Sequence, residues 1–144
     1  VGISVVNRST LPPDYRPSDD EAFMNPLQLE YFRQKLMQWR SELLTESSGT
    51  LQNLKEVSLA EPDIADRATL ETDRYTELRT RDRERKLISK IDEALMRLDD
   101  GSYGYCEETG EPIGVRRLDA RPIATLSVEA QERHERLERT QRED

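Results

Sequence analysis

Apolar residues recur along the first long segment of the chain at Leu29, Phe32, Leu36, Trp39 and Leu43, in alternating steps of three and four. That spacing is the seam of a coiled-coil helix, which turns one stripe steadily toward a partner. Asn25-Pro26 marks its start: Asn25 caps free backbone N–H groups and Pro26 suits the first helical position. The seam degrades through Ser47, Ser48, Gly49 and Thr50 and resumes, shifted, at Leu51, Leu54 and Val57. That break in the heptad predicts local unwinding or bending. Glu61-Pro62-Asp63 ends the helix, since the residue before a proline disfavours helical backbone. A second helical pattern runs from near Asp63 to Asp99, with its clearest seam at Ile88, Ile91, Leu95 and Leu98. Two arms, Pro26–Leu59 and Asp66–Asp99, have equal length, and each spans about 50 Å at 1.5 Å per residue. Equal arms with a short connection predict an antiparallel hairpin over residues 25–100, its tip near 60–68.

Asp100-Gly101 stops the second arm. Residues 101–126 have a different texture: Gly104, Gly110 and Gly114 punctuate short β-type segments at Tyr103–Tyr105 and Ile113–Val115. Packing of Tyr103, Tyr105, Ile113, Val115, Leu118 and Ile123 is expected to hold this module. Residues 127–144 are polar and helix-prone, capped by Ser127, with a weak apolar face of Val128 and Leu137. Residues 1–24 carry three prolines and no sustained period, and are expected to be largely irregular. The fold class is therefore mainly α: a long coiled-coil hairpin with a small globular module and a C-terminal helix.

Composition narrows the picture. Of 144 residues, 36% are charged and 34% apolar, too few apolar for a large core, which favours a slim shape. A net charge of −8 excludes nucleic-acid binding through the overall field. No apolar run approaches the roughly 20 residues of a membrane span, and no basic start leading into an apolar stretch marks a secretory signal. A single cysteine, Cys106, excludes an internal disulfide. These features predict a soluble, cytoplasmic protein. The charge is uneven: residues 60–73 sum to −4, whereas residues 79–90 sum to +4. Acids early in a helix complement its dipole, so Asp63 and Asp66 also read simply as a cap. A run such as Arg79–Lys86 also reads as a solvated face. Arg83, Leu87 and Lys90 nevertheless form a stripe beside the seam, suited to a polyphosphate or an acidic partner.

Gly104-Tyr105-Cys106-Glu107-Glu108-Thr109-Gly110 has the outline of a zinc knuckle. The four ligand positions hold Cys106, Thr109, Ser127 and Ala130, so one thiolate of four survives. Hydroxyls are poor zinc ligands and alanine has no donor, which predicts no bound zinc. The acids Glu107 and Glu108 are expected to raise the Cys106 thiol pKa and argue against a nucleophile. His134, the single histidine, reads as a surface helix residue. No nucleophile motif, phosphate loop or dinucleotide fingerprint is present, so no enzyme activity is expected.

Taken together, these motifs resemble the DksA/TraR family of bacterial transcription factors, over roughly residues 15–131. The resemblance rests on Leu78-Arg79-Thr80-Arg81-Asp82-Arg83-Glu84-Arg85-Lys86-Leu87-Ile88, on Tyr103-Gly104-Tyr105-Cys106, on Gly110, Glu111, Ile113-Gly114, Arg116-Arg117-Leu118 and Ala120-Arg121-Pro122, and on Asp63-Ile64-Ala65-Asp66-Arg67-Ala68, which matches a DxxDxA motif. It implies a regulator that binds RNA polymerase without touching DNA and inserts its coiled coil into the secondary channel. It further implies a response to ppGpp at stringent-response promoters. On this resemblance Asp63, Asp66 and Ala68 act near the polymerase active centre, and Arg83 contacts polymerase. Leu87, Lys90 and Arg121 contact ppGpp, which is an effector held with polymerase rather than a resident cofactor. The single cysteine resembles the zinc-free subgroup, and a monomer with no membrane contact is expected. One departure is Gln131, which stands where a basic phosphate contact is usual. The alternative reading is a transcript-cleavage factor, which also presents paired acids at a coiled-coil tip.

Overall fold

A computed structural model describes residues 11–59 and 64–143, with side chains described outside 50–67 and 142–143. Four helices follow in order: α1 (Pro26–Leu59), α2 (Ile64–Asp100), α3 (Val115–Ala120) and α4 (Val128–Glu143). The local signals act as expected. Asn25 Oδ1 accepts the Gln28 N–H at 2.9 Å, capping α1. At the end of α2, Gly101 takes φ 85°. That left-handed turn lets Ser102 and Tyr103 N–H both donate to the Arg97 carbonyl, at 3.0 and 3.1 Å. Ser127 Oγ accepts the Ala130 N–H at 3.2 Å and caps α4.

The chain divides into two compact units, one formed by residues through Leu36 together with Glu93 onward, the other by Met37–Asp92. The first unit is built on Phe32, Leu36, Ala94, Leu98, Tyr103, Cys106, Val115, Leu118 and Ala130, all buried. Phe32 lies against Tyr103 at 5.7 Å between ring centroids. The Tyr103 hydroxyl donates to the Pro122 carbonyl at 2.8 Å, satisfying the one polar atom of a buried ring. Residues 11–25 contain turns but no regular element. They are tied down by Gln28, fully buried, which accepts from Met24 N–H and donates to the Ser18 carbonyl. Gly104, at φ 93°, lies so close to Phe23 and Met24 that a Cβ there would sit 3.2 Å from the Phe23 ring.

The second unit pairs the distal parts of α1 and α2 in antiparallel sense. Arg40 Nε donates to Asp92 Oδ1 at 2.7 Å, and Ser47 Oγ donates to Glu84 Oε2 at 2.7 Å, so advance along α1 matches retreat along α2. Among the described residues its buried apolar side chains are Leu43 and Ile91.

One expectation needs correction and another is extended. The β-type segments reduce to a single antiparallel bridge, Tyr105 to Pro112, and Val115 opens α3 instead of closing a strand. The α2 seam also extends toward the start of the helix from its clearest part at Ile88–Leu98. Leu70, Arg74, Glu77, Arg81 and Glu84 continue it in steps of four and three, and each is half-buried or buried. Ser47, where the α1 seam seemed to fail, faces one of them. The coiled coil keeps its period there but fills it with polar side chains.

Candidate functional site

Asp63 lies outside the described residues, and so does the side chain of Asp66, whose backbone belongs to the start of α2. Ala68, two residues further on, is exposed.

The basic stretch occupies the outer side of α2. The buried seam from Arg74 to Ile91 faces one way, and Arg79, Arg83, Lys86 and Lys90, at steps of four, three and four, share an exposed stripe on another. Among the described residues no carboxylate forms an ion pair with any of these four. The Arg79 guanidinium lies 5.8 Å from the centroid of the Tyr75 ring, itself 63% exposed. Leu87 is half-buried between stripe and seam, so it presents an apolar edge beside Lys90. This surface is open, cationic and flanked by one aromatic ring, which suits an anionic partner rather than catalysis.

Arg121 belongs to the other unit. It follows α3, with its N–H donating to the Arg117 carbonyl at 2.8 Å and its side chain exposed. Two residues earlier, Asp119 accepts hydrogen bonds from Tyr31 Oη at 2.6 Å and Lys35 Nζ at 2.5 Å. Burial by itself raises the Asp119 carboxyl, but these two donors outweigh it and hold the group below the ordinary carboxylate value. Burial, then the bond to Asp119, pushes the Tyr31 hydroxyl up to about 12. No spacing rule links Tyr31, Lys35 and Asp119, and sequence reasoning missed them.

The knuckle brings the degenerate ligand positions together. Cys106 is buried, at 3% exposure, and the Thr109 hydroxyl and the backbone N–H groups of Ser127, Thr109 and Glu108 are the donors that stabilise its ionised form. Burial opposes ionisation, yet the Thr109 hydroxyl and those N–H groups bring the thiol down to about 6. The expected upward shift from Glu107 and Glu108 is thus reversed, because donors aimed at the sulfur act at closer range than solvated carboxylates. Glu108 instead turns to α4, pairing with Arg133 at 3.7 Å and with His134. His134 is 46% exposed on its side chain, as a surface helix residue should be.

Comparison with known proteins gives a consistent result. Residues 28–98 match the model of the DnaK suppressor protein DksA N-terminal domain, and residues 101–136 match the prokaryotic dksA/traR C4-type zinc finger. An RNA polymerase-binding transcription factor DksA of Caulobacter vibrioides is 67% identical over 131 residues, covering 91% of this chain and 92% of that one. The protein of the same name in Escherichia coli K12 is 44% identical over 115 residues, covering 80% and 76%. The structure of transcription factor DksA2 from Pseudomonas aeruginosa superposes with a TM-score of 0.79 at 45% identity, covering 86% and 94%.

The C4 finger implies zinc, and the residues present do not fit it. Beyond Cys106, the Ser127 hydroxyl is occupied in capping α4, Thr109 bonds to the sulfur, and Ala130 has no donor atom. Among the described residues no group of three His, Cys, Asp or Glu side chains is placed to hold a metal. Hydrogen bonds to the sulfur stand where metal–thiolate bonds would tie the loop to the start of α4.

Proposed function

This chain belongs to the DksA family, and from that premise we propose that it binds RNA polymerase directly and regulates transcription initiation. The observation that carries the reading is 67% identity, across nearly the whole of both chains, with a protein named as an RNA polymerase-binding transcription factor. Family relatives bearing that name are regulators, and regulation rather than catalysis is the role proposed. The proposed mechanism follows from a paired helix carrying charge of opposite sign at different levels. The hairpin enters the secondary channel of polymerase with Asp63 and Asp66 leading. Short carboxylates bring negative charge to the active centre with little bulk. The open cationic stripe, Arg83 foremost, docks on an acidic polymerase surface.

The effector proposed is ppGpp, bound between Leu87, Lys90 and Arg121 and the polymerase. Two cations suit its phosphates, and the apolar edge of Leu87 suits its base. Because the nucleotide would touch both proteins, it strengthens their complex, which is a coupling free energy rather than a chemical step. With Gln131 in place of a cation, two basic side chains carry that contact. A polymerase partner calls for a cytoplasmic location. No described helix is long and apolar enough to cross a membrane. We further propose a monomer that makes no DNA contact and needs no zinc.

In vitro transcription with purified polymerase from a ribosomal RNA promoter, with and without ppGpp, tests the proposal. Inhibition by the protein that deepens with ppGpp is expected. Absence of any effect on initiation, or stimulated RNA cleavage in backtracked complexes, overturns it, the latter in favour of a transcript-cleavage factor.

A further inference from the structure

Within the first unit, α1 and α3 meet at a charged clasp. Asp119 receives three hydrogen bonds from α1: its carboxylate accepts from Tyr31 Oη at 2.6 Å and from Lys35 Nζ at 2.5 Å, and its main-chain carbonyl accepts from Lys35 Nζ at 2.7 Å. Tyr31 and Lys35 stand one turn apart on α1, so both side chains reach the same place. The bond to the carbonyl matters most, because it grips the backbone itself. α3 has six residues, too few to hold a fixed geometry by its own hydrogen bonds. Arg121 leaves α3 immediately afterwards, its N–H donating to Arg117 and its carbonyl accepting from Ala124, while its guanidinium stays exposed. The backbone from which that guanidinium projects is therefore braced from α1.

We infer that Tyr31, Lys35 and Asp119 are positioning residues for Arg121, presenting its guanidinium to the phosphates of ppGpp. The inference rests on the reading of Arg121 as a nucleotide contact. A cation held in place binds more tightly than one that must be ordered on contact. Loss of the clasp should therefore weaken the nucleotide response and leave the polymerase contact along α2 alone.

The test uses the full-length chain with polymerase, titrating ppGpp in the transcription assay. Lys35 is 38% exposed on its side chain, so Lys35→Met keeps the apolar stem and should fold, which a circular-dichroism melt verifies. Tyr31→Phe removes one hydroxyl and serves as a second variant. The expected result is a rise of about fivefold in the ppGpp concentration giving half the effect, with the nucleotide-free effect and the maximal effect unchanged. Lys35→Arg should restore the response, since a guanidinium can bridge the same carboxylate and carbonyl. Arg121→Ala is run in parallel. If it leaves the titration unaltered, the nucleotide reading of Arg121 fails. If it weakens the response while Lys35→Met and Tyr31→Phe do not, the clasp is not a positioning device. Equal loss of the basal and ppGpp-dependent effects also overturns the inference, because it marks a purely structural role.

Discussion

Glu84 is 8% exposed in the seam between α1 and α2, with Ser47 Oγ donating to its carboxylate at 2.7 Å. Ser47→Ala removes the donor and leaves a buried carboxylate without it, which costs about 1–3 kcal/mol. Alanine is the better helix former by about 0.5 kcal/mol, so a net loss of about 1 kcal/mol is expected. The double change Ser47→Ala, Glu84→Leu removes both polar partners and places leucine at a buried position. Burying that side chain contributes about 1.5–3 kcal/mol, against a lost hydrogen bond of similar size. Replacing both partners of a buried hydrogen bond by apolar groups is nearly neutral or stabilising, so the double variant is expected to be at least as stable as wild type. Amide hydrogen exchange over residues 41–49 and 80–91 measures this locally. Protection should fall about fivefold in the single variant and return to at least the wild-type level in the double variant. If Ser47→Ala leaves exchange unchanged, or the double variant exchanges faster than wild type, Glu84 does not occupy the seam.

Cys106 is expected to ionise near pH 6, visible as thiolate absorbance that Cys106→Ser abolishes. Its folded value is depressed, so its stabilising contribution is full above the ordinary thiol value of about 8.5 and is lost as pH falls through the folded one. A midpoint at or above 8.5 would show that the N–H groups do not reach the sulfur. Asp66→Asn should keep polymerase affinity within about fivefold, since a single ion pair between protein surfaces rarely contributes more than about 1 kcal/mol, while abolishing the effect on initiation. Large loss of affinity with full activity of the remaining complex contradicts a tip that acts at the active centre. Lys90→Ala should weaken the added effect of ppGpp and spare the basal effect, and transcription assays showing equal loss of both would refute nucleotide contact there.

Much of the fold was legible in the residue pattern because its causes are local. Asn25-Pro26 opens α1 and Gly101 closes α2 through backbone geometry that needs no distant partner. The three-four repeat of Leu29 to Leu43 and of Ile88 to Leu98 is a periodic property of single helices. Reading only apolar positions hid the rest of the seam, although stepping back from Leu98 through Ile91 by sevens arrives at Glu84 and Glu77. Burial there depends on what Ser47 offers from the facing helix, and a single segment carries no such information. The same limit separates Val115 as strand from Val115 as the start of α3. The Asp119 clasp takes its donors from α1, far along the chain, and the Cys106 cradle adds the distant Ser127 N–H to local donors from Thr109 and Glu108. Local sequence determines where a helix begins and which stripe repeats, whereas the chemistry of a buried acid or thiol depends on neighbours that only chain folding brings within hydrogen-bonding distance.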